Sequence, residues 1–136
     1  MSLAGLNLWG IFVAAIAAFA FGAAWYGALG RQWMAALGKT EADIRRRPMA
    51  PTYAATFVAQ LLMAVMLAGL IWHMGGATVR TGLVSGALIW LGFVATTIFV
   101  NHRFQGAAAR LTLIDGGHWL GVLLVQGAVI GAFGPP

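Results

Sequence analysis

Four long apolar runs constrain the fold of this chain more than any other feature. A helix needs about 20 apolar residues to cross the roughly 30 Å of hydrocarbon in a bilayer. The runs are continuous rather than alternating, which excludes a transmembrane β-barrel. The sequence therefore predicts an all-α integral membrane protein, with a bundle of four transmembrane helices forming a single domain over residues 1–136. The predicted spans are about 6–29, 52–74, 80–101 and 111–133.

The composition agrees with this class of protein. Hydrophobic residues make up 61% of the 136 residues and charged residues 8%, whereas a soluble domain carries about 25% charged residues. The sequence contains no cysteine, which excludes disulfides and thiolate metal sites. It also lacks a His/Glu metal spacing, a nucleophile–base pair and a glycine-rich phosphate loop. We therefore expect no metal, no cofactor and no enzymatic activity.

The cations are distributed unevenly between the loops. Seven belong to the first and third loops, whereas the second loop has only Arg80. By the positive-inside rule, the first and third loops face the cytoplasm and both termini lie on the opposite side. The net charge of +5 thus reflects topology and does not indicate nucleic-acid binding. The seven cations are Arg31, Lys39, Arg45, Arg46, Arg47, Arg103 and Arg110.

The first loop carries the signals of a short helix. Thr40 and Asp43 have the spacing of a capping box, and the arginines of 45–47 suit the negative end of the helix dipole. Just upstream, an apolar stripe at helical spacing predicts a helix that lies on the cytoplasmic membrane surface. The alternative is an ordinary solvated turn. The stripe consists of Trp33, Met34 and Leu37.

The same loop offers a candidate lipid contact. The arginine triplet has the charge to bind anionic lipid headgroups, but it is equally a plain orientation signal. Membrane lipid is therefore an expected partner of this chain. The candidate headgroup-binding residues are Arg45, Arg46 and Arg47.

Small residues recur every fourth position in several runs, and such faces let helix backbones approach closely. The packing partner can be a helix of this chain, of a second copy or of another protein. Four spans have few interior positions for so many small faces, which favours a homo-oligomer or a larger membrane complex. The candidate helix-packing residues are Gly82, Gly86, Gly117, Gly121, Gly127 and Gly131.

The last run contains Asp115, the only acid in any of the four runs. Asp115 and His118 share one helix face because they are three residues apart. If polar faces of the other spans converge at the same depth, a pocket forms in the cytoplasmic half. Ionisable groups within a membrane are candidates for function, but a structural ion pair or hydrogen bond explains them equally. The predicted pocket comprises Tyr26, Thr56, Thr97, Asn101, Asp115 and His118.

Four stretches carry a resemblance to a known family. They read "GAAWYGALGRQWM" (22–34), "LGKTEADI" (37–44), "WLGFVATTIFVNHRF" (90–104) and "LTLIDGGHWL" (111–120). They resemble the bacterial membrane family catalogued as domain of unknown function 1761, over essentially the whole chain. The resemblance implies a small four-span protein of the bacterial plasma membrane, without an established activity.

The chain departs from the family pattern at two places. The family commonly has Ser-Pro after the tyrosine, where this chain has Gly27 and Ala28. The last span commonly reads Asn-x-Gly-Tyr, where this chain has Asp115 and His118 at the outer positions of the motif. An acid and an imidazole thus replace an amide and a phenol. This fits a polar contact between helices, or a role special to this branch of the family.

Two functions follow from these observations. The favoured one is a non-enzymatic bundle that acts by helix association, as an accessory subunit of a larger membrane complex or as a homo-oligomer. Its partners are other transmembrane helices. The alternative is a small transporter or channel with a cytoplasmic-facing polar pocket around Asp115 and His118.

Overall fold

A computed structural model describes residues 5–135, and four long helical segments follow the four apolar runs. Each is long and apolar enough to cross a membrane, and the described residues contain no strand. The predicted four-span helical fold is therefore confirmed. Of the predicted unit 1–136, residues 1–4 and 136 lie outside the described residues. The elements are α1 (Leu8–Leu37), α2 (Glu41–Arg45), α3 (Met49–His73), α4 (Val79–Ile89), a π-helical turn (Trp90–Ala95), α5 (Thr96–Phe104) and α6 (Ala109–Phe133).

Helix α1 continues past its predicted end, so the apolar stripe that includes Trp33 lies on α1. The prediction of a separate surface helix at these positions is wrong, because nothing interrupts the helix before Gly38. Gly38 has a positive φ of 66°, and its N–H donates to the carbonyl of Ala35, which ends the helix. At 1.5 Å per residue α1 is about 45 Å long, so its last turns extend beyond the hydrocarbon.

The short helix α2 is present in the first loop, and its capping box is formed. The N–H of Asp43 donates to Oγ1 of Thr40 at 3.3 Å, and the N–H of Thr40 donates to Oδ2 of Asp43 at 2.9 Å. Because these bonds stabilise the carboxylate, the backbone N–H and then the hydroxyl of Thr40 lower the pKa of Asp43 below its ordinary value.

The arginines of α2 are partly neutralised within the helix. Arg45 pairs with Glu41, and Nη1 of Arg46 lies 3.8 Å from Oδ1 of Asp43. All three arginines of 45–47 are exposed. Three arginines and two acids leave one net positive charge over residues 41–47. Headgroup binding by the triplet stays a prediction, with less free charge than the sequence alone indicates.

The bundle is arranged around α6. Helix α1 packs along one side of α6 and α4 along the other, while α3 packs mainly on α1. We call the end that carries the loops at 38–48 and 105–108 the basic end. Away from this end the four segments enclose a closely packed core, which includes Ile11, Ala64, Leu67, Ile71, Leu123 and Ile130.

The glycines of α4 and α6 bring these two backbones into direct contact. A Cβ atom added to Gly82 would overlap the carbonyl of Gly127, and one added to Gly127 would overlap the carbonyl of Gly82. A Cβ on Gly86 would lie 2.6 Å from the carbonyl oxygen of Leu123. Gly131 meets the backbone carbonyl that precedes α4 in the same way. Such close backbone contacts are possible because glycine has no side chain at the point of contact.

The remaining two candidate glycines pack against α1. A Cβ on Gly117 would lie 2.8 Å from the indole ring of Trp25, and one on Gly121 would overlap the ring of Phe21. All six candidate glycines thus face helices of the same chain. Contacts within the chain therefore account for these six glycines, and the oligomer stays a prediction.

A π-helical turn interrupts the third span at its centre. The π-helical turn at Trp90–Ala95 separates α4, which packs closely on α6, from α5, which is largely exposed. A π-helical turn takes more residues than an α-helical one, so it rotates the face that follows. Within the described residues, α5 packs on α6 and not on α3. The bundle is therefore less closely packed near the basic end.

Candidate functional site

Asp115 lies near the basic end of α6, where the aromatic side chains of α1 hold it. Its Oδ1 accepts a hydrogen bond from the hydroxyl of Tyr26 at 2.7 Å and one from Nε1 of Trp33 at 3.1 Å. Its Oδ2 lies 3.9 Å from Nε2 of His102. Hydrogen bonds to an ionised acceptor are stronger than those between neutral groups. Trp33 takes part only because α1 continues past its predicted end.

Two further indoles attach neighbouring helices to the same turns of α6. Nε1 of Trp25 donates to the carbonyl oxygen of Ile114 at 3.1 Å, and Nε1 of Trp90 donates to that of Gly116 at 2.8 Å. These two indoles satisfy their N–H groups on α6, as indoles buried in proteins usually do.

The third loop is closed by polar side chains next to this cluster. Nδ1 of His102 lies 3.0 Å from Oγ1 of Thr112. Nη2 of Arg103 donates to the same hydroxyl at 3.2 Å and to the carbonyl oxygen of Ala107 at 2.8 Å. These groups fix the position of Asp115, which links α6 to α1 and α5.

A groove of about 640 Å³ opens between α1 and α3 near the basic end. Helix α1 contributes small and aromatic residues, α3 contributes mainly polar ones, and His118 reaches the groove from α6. Two edge-to-face ring pairs join the walls, Phe19 with Tyr53 and Phe19 with Phe57. The lining residues are Phe19, Gly22, Ala23, Tyr26, Gly27, Thr52, Tyr53, Thr56, Gln60 and His118.

Two lining residues have buried polar atoms without a hydrogen-bond partner. Gln60 is 1% exposed and His118 is 5% exposed. Within residues 5–135, neither Oε1 of Gln60 nor Nδ1 of His118 has a hydrogen-bond partner. Nε2 of His118 lies beside Gly22, since a Cβ added there would come within 2.8 Å of it. An unsatisfied buried polar group costs about 1–3 kcal/mol, so this arrangement needs an explanation.

The groove ends at a polar contact between α3 and α6. Nε2 of Gln126 donates to the backbone carbonyl of Gln60 at 2.8 Å, and Oε1 of Gln126 has no partner among the described residues. Beyond this layer lies the closely packed core. The groove therefore lies between this layer and the basic end.

The predicted pocket and the observed groove share only some residues. Tyr26, Thr56 and His118 line the groove, and Asp115 contacts it through the hydroxyl of Tyr26. Thr97 and Asn101 are exposed on α5 and do not line it. The prediction placed these two residues in the pocket because it assumed a continuous α-helix through the third span, which the π-helical turn interrupts.

Some residues of the site escaped the prediction. Gln60 lies in the second span and was not assigned to the predicted pocket. The spacing of Thr52, Thr56 and Gln60 places all three on one face, which was the available signal. His102 was not assigned to the pocket either, although it lies next to Asp115. Within the described residues, no group of His, Asp and Glu could hold a metal ion.

A comparison with models of protein families gives a match for this chain. A family model described as "Protein of unknown function (DUF1761)" matches residues 9–131. The chain belongs to this family. Comparison with curated proteins and with solved structures gives no match. The groove and the Asp115 cluster both lie within the residues that the DUF1761 model covers, and the family description assigns no activity to either. Function must therefore be argued from the site.

Proposed function

We propose that this protein is a small carrier that binds a low-molecular-weight amphiphile in the groove between α1 and α3. The observation that carries the proposal is the pair of buried, unpartnered polar atoms on Gln60 and His118 in the groove wall. Ligand sites in proteins are clefts of about 300–1,000 Å³ with mostly apolar walls and a few placed polar groups. The groove has this size and this composition.

The volume of the groove favours a small ligand over a partner helix. A helix about 10 Å across and 30 Å long occupies roughly 2,400 Å³. The groove of about 640 Å³ is about a quarter of that volume. A lone lipid chain would fill the apolar part but would leave Gln60 and His118 without partners. An amphiphile with one polar group fills the apolar part and also supplies a hydrogen-bond partner for Gln60 and His118.

The position of the opening supports a carrier role. In the predicted orientation the basic end faces the cytoplasm, so the groove is accessible from the cytoplasm and the adjoining leaflet. Passage across the membrane requires the packed opposite end to open in turn. The glycine contacts hold α4 and α6 together there, and α1 packs extensively on α6, so α3 is the helix that would move against this group.

The favoured function from the sequence was action by helix association. Its main support was an excess of small-residue faces, and the six candidate glycines pack within the chain. The accessory-subunit and homo-oligomer hypotheses stay predictions without that support. The carrier proposal rests on an observation that neither of them explains.

Occupying the groove from within the protein tests the proposal. A Cβ added to Gly27 meets nothing within 4 Å, and Gly27 lines the groove. Gly27→Leu therefore fills part of the groove without a backbone clash. Gly30→Leu is the matched control, since Gly30 lies on the same helix with equally open space but does not line the groove.

The measurement is native mass spectrometry of the three proteins, each extracted from its host membrane in mild detergent. We expect the wild type and Gly30→Leu to carry a bound amphiphile of the same mass, and Gly27→Leu to have lost it. A wild type without bound small molecules, or equal retention by both variants, would refute the proposal. Additional polypeptide mass would instead support the accessory-subunit hypothesis.

A further inference from the structure

We infer that the groove selects an uncharged amphiphile whose polar group both donates and accepts hydrogen bonds, as a primary amide or a hydroxyl does. This inference rests on the proposed function and specifies its ligand class. It is carried by the chemistry of Gln60 and His118 on the wall and by the absence of charged side chains among the described lining residues.

The wall disfavours an ionised ligand. Transfer of an unpaired charge into apolar surroundings is costly unless a counter-ion is present. The nearest carboxylate, Asp115, is separated from the groove by Tyr26, and its Oδ1 already accepts from Tyr26 and Trp33. A cation would therefore find no free carboxylate on the wall. An anion would be repelled by Asp115 and would find no cation among the lining residues.

The two unpartnered side chains define what the ligand must supply. The amide of Gln60 has both an acceptor and a donor end, and rotation about its last bond exchanges them. A neutral imidazole likewise has one donor and one acceptor nitrogen. A ligand group that only accepts hydrogen bonds can pair with the donors of these two side chains but not with their acceptors. A primary amide or a hydroxyl can bond to both side chains at once.

The α1 wall of the groove suits an apolar body. Gly22, Ala23 and Gly27 leave the α1 wall shallow, and the rings of Phe19 and Tyr53 border it. The bound polar group would therefore lie near Gln60 and His118, with the apolar body extending towards the basic end. This places the polar group of the ligand deeper in the membrane than its body.

Four probes with the same chain length test this inference. They are dodecanamide, methyl dodecanoate, dodecanoate and dodecylammonium, each titrated into the full-length protein in nanodiscs of a zwitterionic lipid. Binding is measured from the ring nitrogen resonances of 15N-histidine-labelled protein. The sequence contains three histidines, so His73 and His102 serve as internal controls for His118.

We expect dodecanamide to shift the His118 resonances selectively, with an affinity roughly three- to tenfold higher than that of methyl dodecanoate, which only accepts. Both ions should bind more weakly than the ester. Gln60→Met, of similar length, should abolish the preference for the amide over the ester. Gln105→Met is the control and should retain it, because Gln105 is exposed in the third loop and does not line the groove.

The outcomes separate this inference from the proposed function. The inference is wrong if either ion binds as tightly as dodecanamide or more tightly, or if Gln60→Met keeps the preference for the amide. The carrier proposal still stands in that case if the co-purifying ligand is lost only from Gly27→Leu. No selective His118 shift with any probe also overturns the inference. The co-purification result with Gly27→Leu then decides whether the carrier proposal stands.

Discussion

Substitution of Gly82 by alanine is the sharpest test of the packing that positions the site. A Cβ on Gly82 would lie 2.5 Å from the carbonyl carbon of Gly127 and closer still to its oxygen. The carbonyl oxygen lies at 1.9 Å and ordinary van der Waals contact begins at 3.4 Å, so the two helices must separate by about 1.5 Å (3.4 minus 1.9). Both partners are backbone, so no side chain can rotate away.

Two opposing effects set the change in the free energy of unfolding that Gly82→Ala causes. Overpacking a closely packed interface costs about 1–3 kcal/mol, and a contact between backbones belongs at the upper end. Alanine in place of glycine returns about 0.8–1.0 kcal/mol of helix propensity. We therefore expect Gly82→Ala to lower the free energy of unfolding by about 1–2 kcal/mol. Gly30→Ala has the same propensity gain without a clash, so its stability should rise or stay unchanged.

The assay is reversible unfolding of the purified protein in mixed micelles of a mild detergent and SDS, followed by tryptophan fluorescence. Gly82→Ala should unfold at a lower SDS fraction than the wild type, and Gly30→Ala should not. If Gly82→Ala is as stable as Gly30→Ala, the backbone contact between α4 and α6 is not formed. The assignment of the candidate glycines to contacts within the chain would then be wrong.

Two further predictions concern the Asp115 cluster and α2. Trp33→Phe removes a hydrogen bond to a carboxylate and should destabilise by about 1.5–3 kcal/mol, whereas Trp25→Phe loses only a bond to a carbonyl and should cost about 0.5–1.5 kcal/mol. The same SDS titration measures both variants, and a smaller loss for Trp33→Phe would contradict the assignment. Carbon-13 NMR of Asp43 should give a titration midpoint below the ordinary value of 3.8, and Thr40→Ala should raise it. Because the ionised form is the bonded one, the capping contribution is present above the ordinary pKa and is lost as the pH falls through the lowered pKa. An unchanged midpoint in Thr40→Ala would show that the capping box does not stabilise the carboxylate.

The architecture was predictable because its signals are local. Each apolar run is long enough to insert by itself, and the four helical segments lie where the runs predict them. The capping box of Thr40 and Asp43 depends on residues three apart, and the structure contains it. The end of α1 was predicted wrongly because hydropathy falls after Leu29, whereas the helix continues until Gly38.

The site was predictable only in part. Tyr26, Thr56 and His118 were placed at one depth from the span boundaries, and these three line the groove. Thr97 and Asn101 lie at similar depth but on α5, which the π-helical turn rotates away. Depth along a helix can be counted from the sequence, whereas the direction of a face depends on how the whole helix packs.

By itself, the sequence determined the number of spans, the capped helix in the first loop and the concentration of cations at one end of the bundle. These properties depend on transfer of apolar segments into lipid and on contacts a few residues apart. The tertiary structure decided that the candidate glycines meet helices of the same chain, that Trp33 reaches Asp115, and that α1 and α3 leave a groove. Lipid tails are as apolar as leucine side chains, so an apolar residue suits a lipid-facing and a helix-facing position equally. Only the packing of the helices separates the two.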